Sequence, residues 1–470
     1  MSMHLWLVAY DFPPTPSPQS LRWVYLVREL VRAGHRLEVI APDVPGYGRG
    51  GLPELPPEVR IHRVEPGRVT RLLLGRRLAV TTPQPMAQAQ PSGLQVATSG
   101  LTSADGVSPL NWKGLLRQRL ERALGLRDGL NWKGELAERI KSLMSRWMFP
   151  DYRAEWVPFA NAQLDTLLLQ GHPDAVIVSH EPACSLPVGL HAARRGIPLV
   201  VDMGDPVLAP YTPARWKNQA FALERDVCKA AVMVSVTTEA AADVLTQRHD
   251  LPAGHVLVVR QGFDPEFQAQ EHERQLGFDP SRLELLYTGS FYSFRRAEAL
   301  LDAVISVPDV RLTVATISAP DYLVQAARKH PESIRLVGFM PHRAALAAQR
   351  DCDVLLNIAN ADPVQVPGKV FEYLGAGKPI LHLRGSAQDA TGALITSLKA
   401  GWDIPTEGPA IVASLRELCD LHREQRLKEI VDQRNDVQAY AWPSLAGKWA
   451  AVVQAQLEMT ASLPSRQTVR

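Results

Sequence analysis

The stretch VPGKVFEYLGAGKPILHL, residues 366–383, concentrates the residue types that could do chemistry. Lys369 and Glu372 are three apart, so on a helix they share a face, while Phe371 and Leu374 turn toward a core. Pro367 suits a first helical turn, where its missing N–H is no loss, and Gly375, Gly377 and Pro379 end the helix. Gly368 has no side chain, so a ligand can come close to the backbone there. The unsatisfied N–H groups of a helix start, carrying about half a positive charge, attract anions, and Lys369 adds a full charge. Glu372, one turn deeper, would repel phosphate but can accept hydrogen bonds from a ribose diol. The arrangement fits a nucleoside diphosphate, with phosphates at the helix mouth and sugar hydroxyls at the carboxylate. A nucleotide P-loop is excluded despite the Gly377–Lys378 pair. That motif needs Ser or Thr after the lysine and a glycine where Glu372 stands, and here Pro379 follows. The plain alternative is a surface ion pair between Lys369 and Glu372, worth up to about 1 kcal/mol.

Positioning such a helix mouth requires strands before and after it. LWLVAY (5–10) reads as a buried strand, followed by the proline-rich DFPPTPSPQS, a helical pattern stopped at Gly34 and a second strand, RLEVIAP. DAVIVSH, a helix over 186–195, IPLVVDMGDP, AVMVSVTT and a helix over 240–248 continue this alternation. A second one starts near Val256, with strands LELLYTGS, RLTVAT, SIRLVGF, DVLLNIA and PILHL, and helical patterns over 297–305 and 344–350 between them. The pattern predicts an α/β chain of two doubly wound parallel-sheet domains facing a cleft, with ligands beyond the carboxyl ends of the strands. The expected domains are 1–258, 259–440 and a C-terminal helix in 441–470 packing back on the first domain.

Within the first domain, 81–110 is rich in Pro, Gln, Ser, Thr, Ala and Gly with a single charge, and reads as a flexible excursion. LNWKG then occurs twice, at 110–114 and 130–134, and the second copy leads into ELAERIKSLMSRWM with a clean apolar stripe. Residues 68–150 hold thirteen Lys and Arg against five Asp and Glu, a local +8 in a chain of net +2. The insertion over 111–149 therefore reads either as basic helices folded onto the first domain or as an amphipathic surface for an anionic membrane. The small net charge gives no argument for nucleic acid. Cys184, Cys228, Cys352 and Cys419 are scattered, without CxxC spacing, so neither a disulfide framework nor a zinc site is expected, and a reducing compartment fits. The N-terminal apolar run is stopped by Pro13 and Pro14 and reads as a strand rather than a signal peptide, and no stretch approaches the length of a spanning helix.

GKVFEYLGAGKPIL resembles the donor-site signature of the family-four glycosyltransferases of the GT-B fold, a Lys-x-x-Glu-Tyr core with a Gly-Lys-Pro ending. YDFPP before a helix ending in RAGHRLEVIA is similar to the family's first β-α-β. VSHEPACSLPVGL resembles its loop after a middle strand, VVRQGFDP its interdomain Asn-Gly-Phe-Asp link with Gln261 in place of asparagine, and LLYTGSFYSFRR and RLVGFMP its nucleotide-domain turns. The order and spacing carry the resemblance over most of the chain, the insertion from about Val69 to Ser145 excepted.

That resemblance implies transfer of a sugar from a nucleotide-sugar, with retention at the anomeric carbon and with no metal or other cofactor. It implies donor contacts from Gly289, Arg295, Phe339, Gly368, Lys369 and Glu372, with Lys369 and Arg295, and Arg296 next, stabilising the leaving diphosphate. His180 would orient the hexose from across the cleft, and Pro14 and Asp205 would lie toward a saccharide or lipid-linked acceptor. Asp202 and Asp205 of VDMGDP could both face the acceptor or equally serve a turn, His180 could cap the following helix, and the arginine pair could be solvated. Two positions depart from the family pattern. Val364 stands where a second glutamate contacts the hexose, with Asp362 and Gln365 near it, and PSPQS replaces paired glycines in the first loop. Both read as changes of specificity. The expected setting is cytoplasmic, peripheral on the inner face of the cell membrane through 111–149, in polysaccharide or glycolipid synthesis. The rivals are a nucleotide-sugar epimerase of the same fold and a catalytically silent sugar-nucleotide binder.

Overall fold

The computed structural model describes residues 2–44, 51–68, 70–71, 147–210, 212–274, 276–291, 297–360, 366–432 and 435–462. Two compact units make up the chain, one of Met1–Pro66 with Trp156–Arg470 and the other Gly67–Glu155. In the smaller unit, Glu155 Oε1 accepts from both the backbone N and the Oγ1 of Thr70, each at 2.7 Å. The expectations for 81–110 and for the basic helices of 111–149 lie outside the described residues, save 147–149.

The larger unit holds two sheets. The first contains β1 (His4–Val8), β2 (Arg36–Pro42), β3 (Arg60–Val64), β4 (Ala175–Ser179), β5 (Leu199–Met203), β6 (Ala231–Val236) and β7 (Val256–Val258). Their order is β3-β2-β1-β4-β5-β6-β7, every pairing parallel. Helices α1 (Pro18–Arg32), α2 (Val157–Leu168), α3 (Leu186–Ala193), α4 (Lys217–Ala230) and α5 (Glu239–His249) connect and cover it. Strands buried on both faces need apolar side chains pointing both ways. In β1, Trp6 and Val8 join a core with Val176, Val178 and Leu186, whereas Leu5 and Leu7 join one with Trp23, Leu26 and Trp449. Ser17 caps α1 by accepting from Ser20 N at 3.0 Å, Pro18 opens it, and Gly34 at φ +89° closes it.

The second sheet contains β8 (Leu283–Thr288), β9 (Val310–Ala315), β10 (Ile334–Leu336), β11 (Val354–Ile358), β12 (Ile380–Arg384) and β13 (Gly401–Pro405), in the order β10-β9-β8-β11-β12-β13 and again all parallel. Its helices are α6 (Glu298–Ser306), α7 (Asp321–Lys329), α8 (His342–Asp351), α9 (Gly368–Ala376), α10 (Ala390–Ser397), α11 (Gly408–Arg423) and α12 (Leu427–Asp432). The strand order reverses direction between β1 and β4 in one sheet and between β8 and β11 in the other. Such switch points open a crevice at the carboxyl ends of the strands, where open α/β sheets hold ligands.

The chain passes between the sheets twice, and the two passages pair. Phe263 N donates to Tyr440 O at 3.2 Å and Trp442 N to Phe263 O at 3.0 Å. The last helix, α13 (Trp442–Ser462), lies along α1, with Trp23 edge-on to Trp449 at 6.2 Å and Tyr25 stacked on Trp442 at 5.5 Å. Polar groups add further ties: Arg28 Nη1 to Asp264 at 2.7 Å, and Arg22 Nη1 to the Arg260 carbonyl at 3.0 Å. The four cysteines are buried and unbridged. No helix among the described residues is long and apolar enough to cross a membrane.

Candidate functional site

Helix α9 starts at the switch point of the second sheet. Pro367 precedes it in an extended conformation, φ −60° and ψ 134°, and Gly377 ends it in the left-handed region at φ +73°. Phe371 and Leu374 are buried, which fixes the opposite side of the helix toward the crevice and the chain crossings. The Lys369 ammonium lies 3.6 Å from the centre of the Tyr287 ring and 5.8 Å from that of Tyr373, a cation–π seat. Tyr373 also ties α9 to the end of β8, its hydroxyl accepting from Thr288 N at 3.0 Å. Directly after β8, Gly289 sits at φ +125°, a conformation that L side chains rarely adopt, and a Cβ there would stand 3.6 Å from Lys369 Cδ. Gly289 and Lys369 thus face each other across the β8–β11 crevice. The open side of Gly368 is used by the protein itself, since a Cβ on it would come 3.1 Å from Gln261 Cγ. The missing side chain lets the interdomain link pass close to the helix mouth.

Glu372 turns toward the chain crossings. Its Oε2 accepts from Gln349 Nε2 at 3.4 Å, and its Oε1 is 3.9 Å from His342 Nδ1. Burial pushes the carboxyl up to about 7, opposed by the Gln349 hydrogen bond and the Lys369 charge. His342 opens α8, and burial with the Arg343 charge brings it down to about 4, so it is neutral near pH 7. Its Nε2 is 3.3 Å from the Tyr25 hydroxyl, which reaches over from α1. Tyr25, Asp264, His342, Gln349, Glu372 and Trp442 line one cavity, to which neither Lys369 nor His180 belongs. Glu372 therefore stands between the mouth of α9 and the paired chain crossings.

Two exposed apolar side chains mark the same edge of the second sheet. Phe339, 52% exposed, follows β10 after Gly338 at φ +70°, and Ile317, 76% exposed, follows β9. Arg295 and Arg296 lie outside the described residues, as do Asp362, Val364 and Gln365.

On the first sheet, His180 follows β4 next to the β1–β4 switch point. Its backbone N donates to the Asp202 carbonyl at 2.8 Å, while its ring is 6% exposed with Nδ1 unpartnered. Burial lowers its pKa to about 4, against the opposing pull of Glu224, the Asp205 backbone and Asp202, so the ring is neutral. Pro14 is exposed in the loop after β1, whose Pro13 carbonyl accepts from Arg63. Asp205 is half-buried in the turn after β5. Asp202 takes neither of the roles considered for it. It is 1% exposed, its two oxygens each accept from Arg22 at 2.9 Å, and Ser235 Oγ donates to it at 2.6 Å. It anchors α1 to β5 from inside the core.

Sequence reasoning missed Tyr287, Gln349 and His342. Tyr287 sat inside an apolar strand run and Gln349 inside a helical one, so neither carried a local signal of chemistry. Among the described residues, no group of three or more His, Cys, Asp or Glu could hold a metal ion.

Residues 127–267 match the family model described as Glycosyltransferase Family 4. No curated protein matches the chain. Solved structures with the same architecture include a sucrose-phosphate synthase from Thermosynechococcus elongatus, at 14% identity and TM-score 0.60, covering 98% of this chain and 100% of that one. A glycosyltransferase from Rickettsia africae aligns at 11% identity and TM-score 0.55 over 97% and 99% of the two chains. A UDP-GlcNAc 2-epimerase from Neisseria meningitidis, bound to UDP-GlcNAc, aligns at 12% and 0.50 over 96% and 100%. The two Rossmann-like parallel-sheet domains are those of the GT-B fold that these structures share, and residues 127–267 resemble the family-four glycosyltransferases.

Proposed function

We propose that the chain transfers a glycosyl group from a nucleotide-sugar to a saccharide or lipid-linked hydroxyl, with retention of configuration and without a metal. The observation that carries this reading is the meeting of Lys369 and Gly289 at the β8–β11 switch point, with Glu372 one turn deeper on the same helix. The diphosphate lies at the mouth of α9, where Gly289 leaves room and the Lys369 ammonium leaves the Tyr287 face to meet it. As the bond from the anomeric carbon to the phosphate oxygen breaks, its electron pair goes to that oxygen. Lys369, the helix dipole and Arg295 stabilise the charge that develops there. The acceptor oxygen bonds to the anomeric carbon and gives its proton to the departing phosphate. Glu372, once ionised, takes the ribose diol, and Phe339 covers the base. His180, neutral near pH 7, orients the sugar and does not act as an acid.

Replacing Lys369 with Met removes the charge and keeps the length of the side chain. Donor turnover, measured as release of free nucleoside diphosphate across UDP-, GDP- and ADP-sugars, should fall about 100-fold or more. A loss below about threefold in a folded variant would refute the assignment. Product analysis with and without an acceptor separates transfer from epimerisation, since an epimerase changes the donor sugar with no acceptor present. The +8 segment supports a further part of the proposal, that the enzyme rests on an anionic membrane face through 111–149 and works in polysaccharide or glycolipid assembly at the cytoplasmic side.

A further inference from the structure

At the start of α8 the first domain reaches the surroundings of Glu372, and it does so twice. Tyr25 comes from α1 with its hydroxyl 3.3 Å from His342 Nε2. Gly51, in the segment between β2 and β3, packs on the same turn, where a Cβ would stand 2.9 Å from Pro341 Cβ and 3.0 Å from His342 N. Its φ of +65° and this close approach both suit a residue without a side chain. His342 in turn faces Glu372, Nδ1 to Oε1 at 3.9 Å. Gln349, two turns along α8, donates from Nε2 to Glu372 Oε2 at 3.4 Å and to Thr288 Oγ1 at 3.2 Å. One helix therefore addresses both oxygens of the carboxylate, and its first residue is held from the other domain.

We propose that Tyr25 and His342 are positioning residues for the carboxylate that takes the ribose: the Tyr25 hydroxyl orients the imidazole, whose Nδ1–H fixes Glu372 Oε1 while the nucleotide's diol is held. This deepens the glycosyl-transfer reading and rests on it for the ribose. The hydrogen-bond roles follow from the ring. A neutral imidazole has a single N–H, so if Nδ1 donates to an ionised Glu372, Nε2 becomes a buried acceptor that needs a donor. Tyr25 is that donor. Burial and the charges of Asp264 and Glu372 hold its hydroxyl proton well beyond the ordinary range, and stacking on Trp442 at 5.5 Å fixes its ring. The 3.9 Å gap from Nδ1 to Oε1 exceeds a hydrogen bond, and a shift of about 1 Å closes it. A carboxylate offers about four lone-pair positions, so two remain for the diol once Gln349 and His342 have taken theirs. Of the cations around the pair, Arg28 is bound to Asp264 and Glu29, Arg343 to Glu273, and Arg350 to the Phe267 carbonyl, while Lys369 sits over Tyr287. The neutral side chains of α8 are what orient Glu372. The grip on the nucleotide is thereby tied to the seating of α1 and the Gly51 segment on α8.

Calorimetry on the full chain tests this with UDP, GDP and ADP and the 2′,3′-dideoxy counterpart of each, because the ratio of the two affinities reads the grip on the diol. For the base it binds best, wild type should prefer the ribo form by about 10- to 100-fold, and Glu372→Gln should lower that preference. Tyr25→Phe, which keeps the stacked ring, and His342→Leu should each lower it about 5- to 10-fold, with the dideoxy affinity held within about twofold of wild type. His342→Asn, whose amide can donate from the place of Nδ1, should recover most of the loss. Adding Tyr25→Phe to His342→Leu should cost nothing more, because the hydroxyl acts through the ring. A change below about twofold in Tyr25→Phe, a parallel loss of dideoxy affinity, additive losses in the double variant or no recovery with His342→Asn would each overturn the positioning role. If Glu372→Gln lowers the preference and Tyr25→Phe does not, the ribose placement stands and the positioning role falls. A wild type without ribo preference, or a preference that Glu372→Gln leaves intact, sinks the ribose placement and the positioning role with it.

Discussion

Replacing Glu372 with Gln should make the protein more stable, by an amount that grows with pH. The carboxyl has an ordinary value of 4.5 and is held at about 7 in the fold, with its side chain only 18% exposed. Between those values the folded state binds a proton that the unfolded chain has released, so stability is lost as pH rises through the window. A shift of that size is worth about 3 kcal/mol once both states are ionised, at pH 8, but only about 1 kcal/mol at pH 5. Gln has no proton to lose, so its advantage over Glu should widen by about 2 kcal/mol between those two pH values. His342 works in the opposite direction, since its folded value near 4 costs stability as pH falls below the unfolded value. It is present in both proteins and cancels in the difference. The assay is urea denaturation of wild type and variant at pH 5, 6, 7 and 8, with equal slopes required before midpoints are compared. A difference that stays flat within about 0.5 kcal/mol would mean that Glu372 is not desolvated as described. The same substitution should weaken nucleotide binding, because an amide accepts from a diol less well than a carboxylate. Stability gained where affinity is lost is the mark of a group kept for binding.

Asp202→Asn should behave in the opposite sense, costing about 3–5 kcal/mol in urea unfolding, because it leaves the buried Arg22 guanidinium without its counter-charge. A cost below about 1 kcal/mol would return Asp202 to the role of an ordinary turn residue. Deleting residues 81–150 should abolish flotation with vesicles containing anionic lipid, while leaving melting and nucleotide affinity in place. Unchanged flotation would remove the membrane part of the proposal.

What could be read in the sequence was what is local along the chain. The apolar runs of β1, β4, β5, β8 and β11 need only their own residues to declare two parallel sheets, because strands buried on both faces are apolar throughout. Helix α9 was equally legible, since its proline, its closing glycines and the three-residue spacing of Lys369 and Glu372 all lie within one short segment. Of the edge strands, β10 was read from SIRLVGF, but β3 and β13 were not. RIHRV in β3 and GWDIP in β13 are half-exposed, polar or interrupted, and carry no run to distinguish them from loop.

Pairing across the chain was the other blind spot, and it decides what each acidic residue does. Asp202 and Asp205 are three positions apart in one short turn sequence, and nothing in VDMGDP separates them. The difference lies 180 residues away, in the arginine on α1 that takes both oxygens of the first aspartate. Glu372 shows the same dependence. Its spacing from Lys369 announces a shared face, but burial among residues of other elements pushes it up to about 7, against the Gln349 hydrogen bond and the Lys369 charge. A motif can therefore say which side chains point together, whereas the charge they carry is set by neighbours that only the fold supplies.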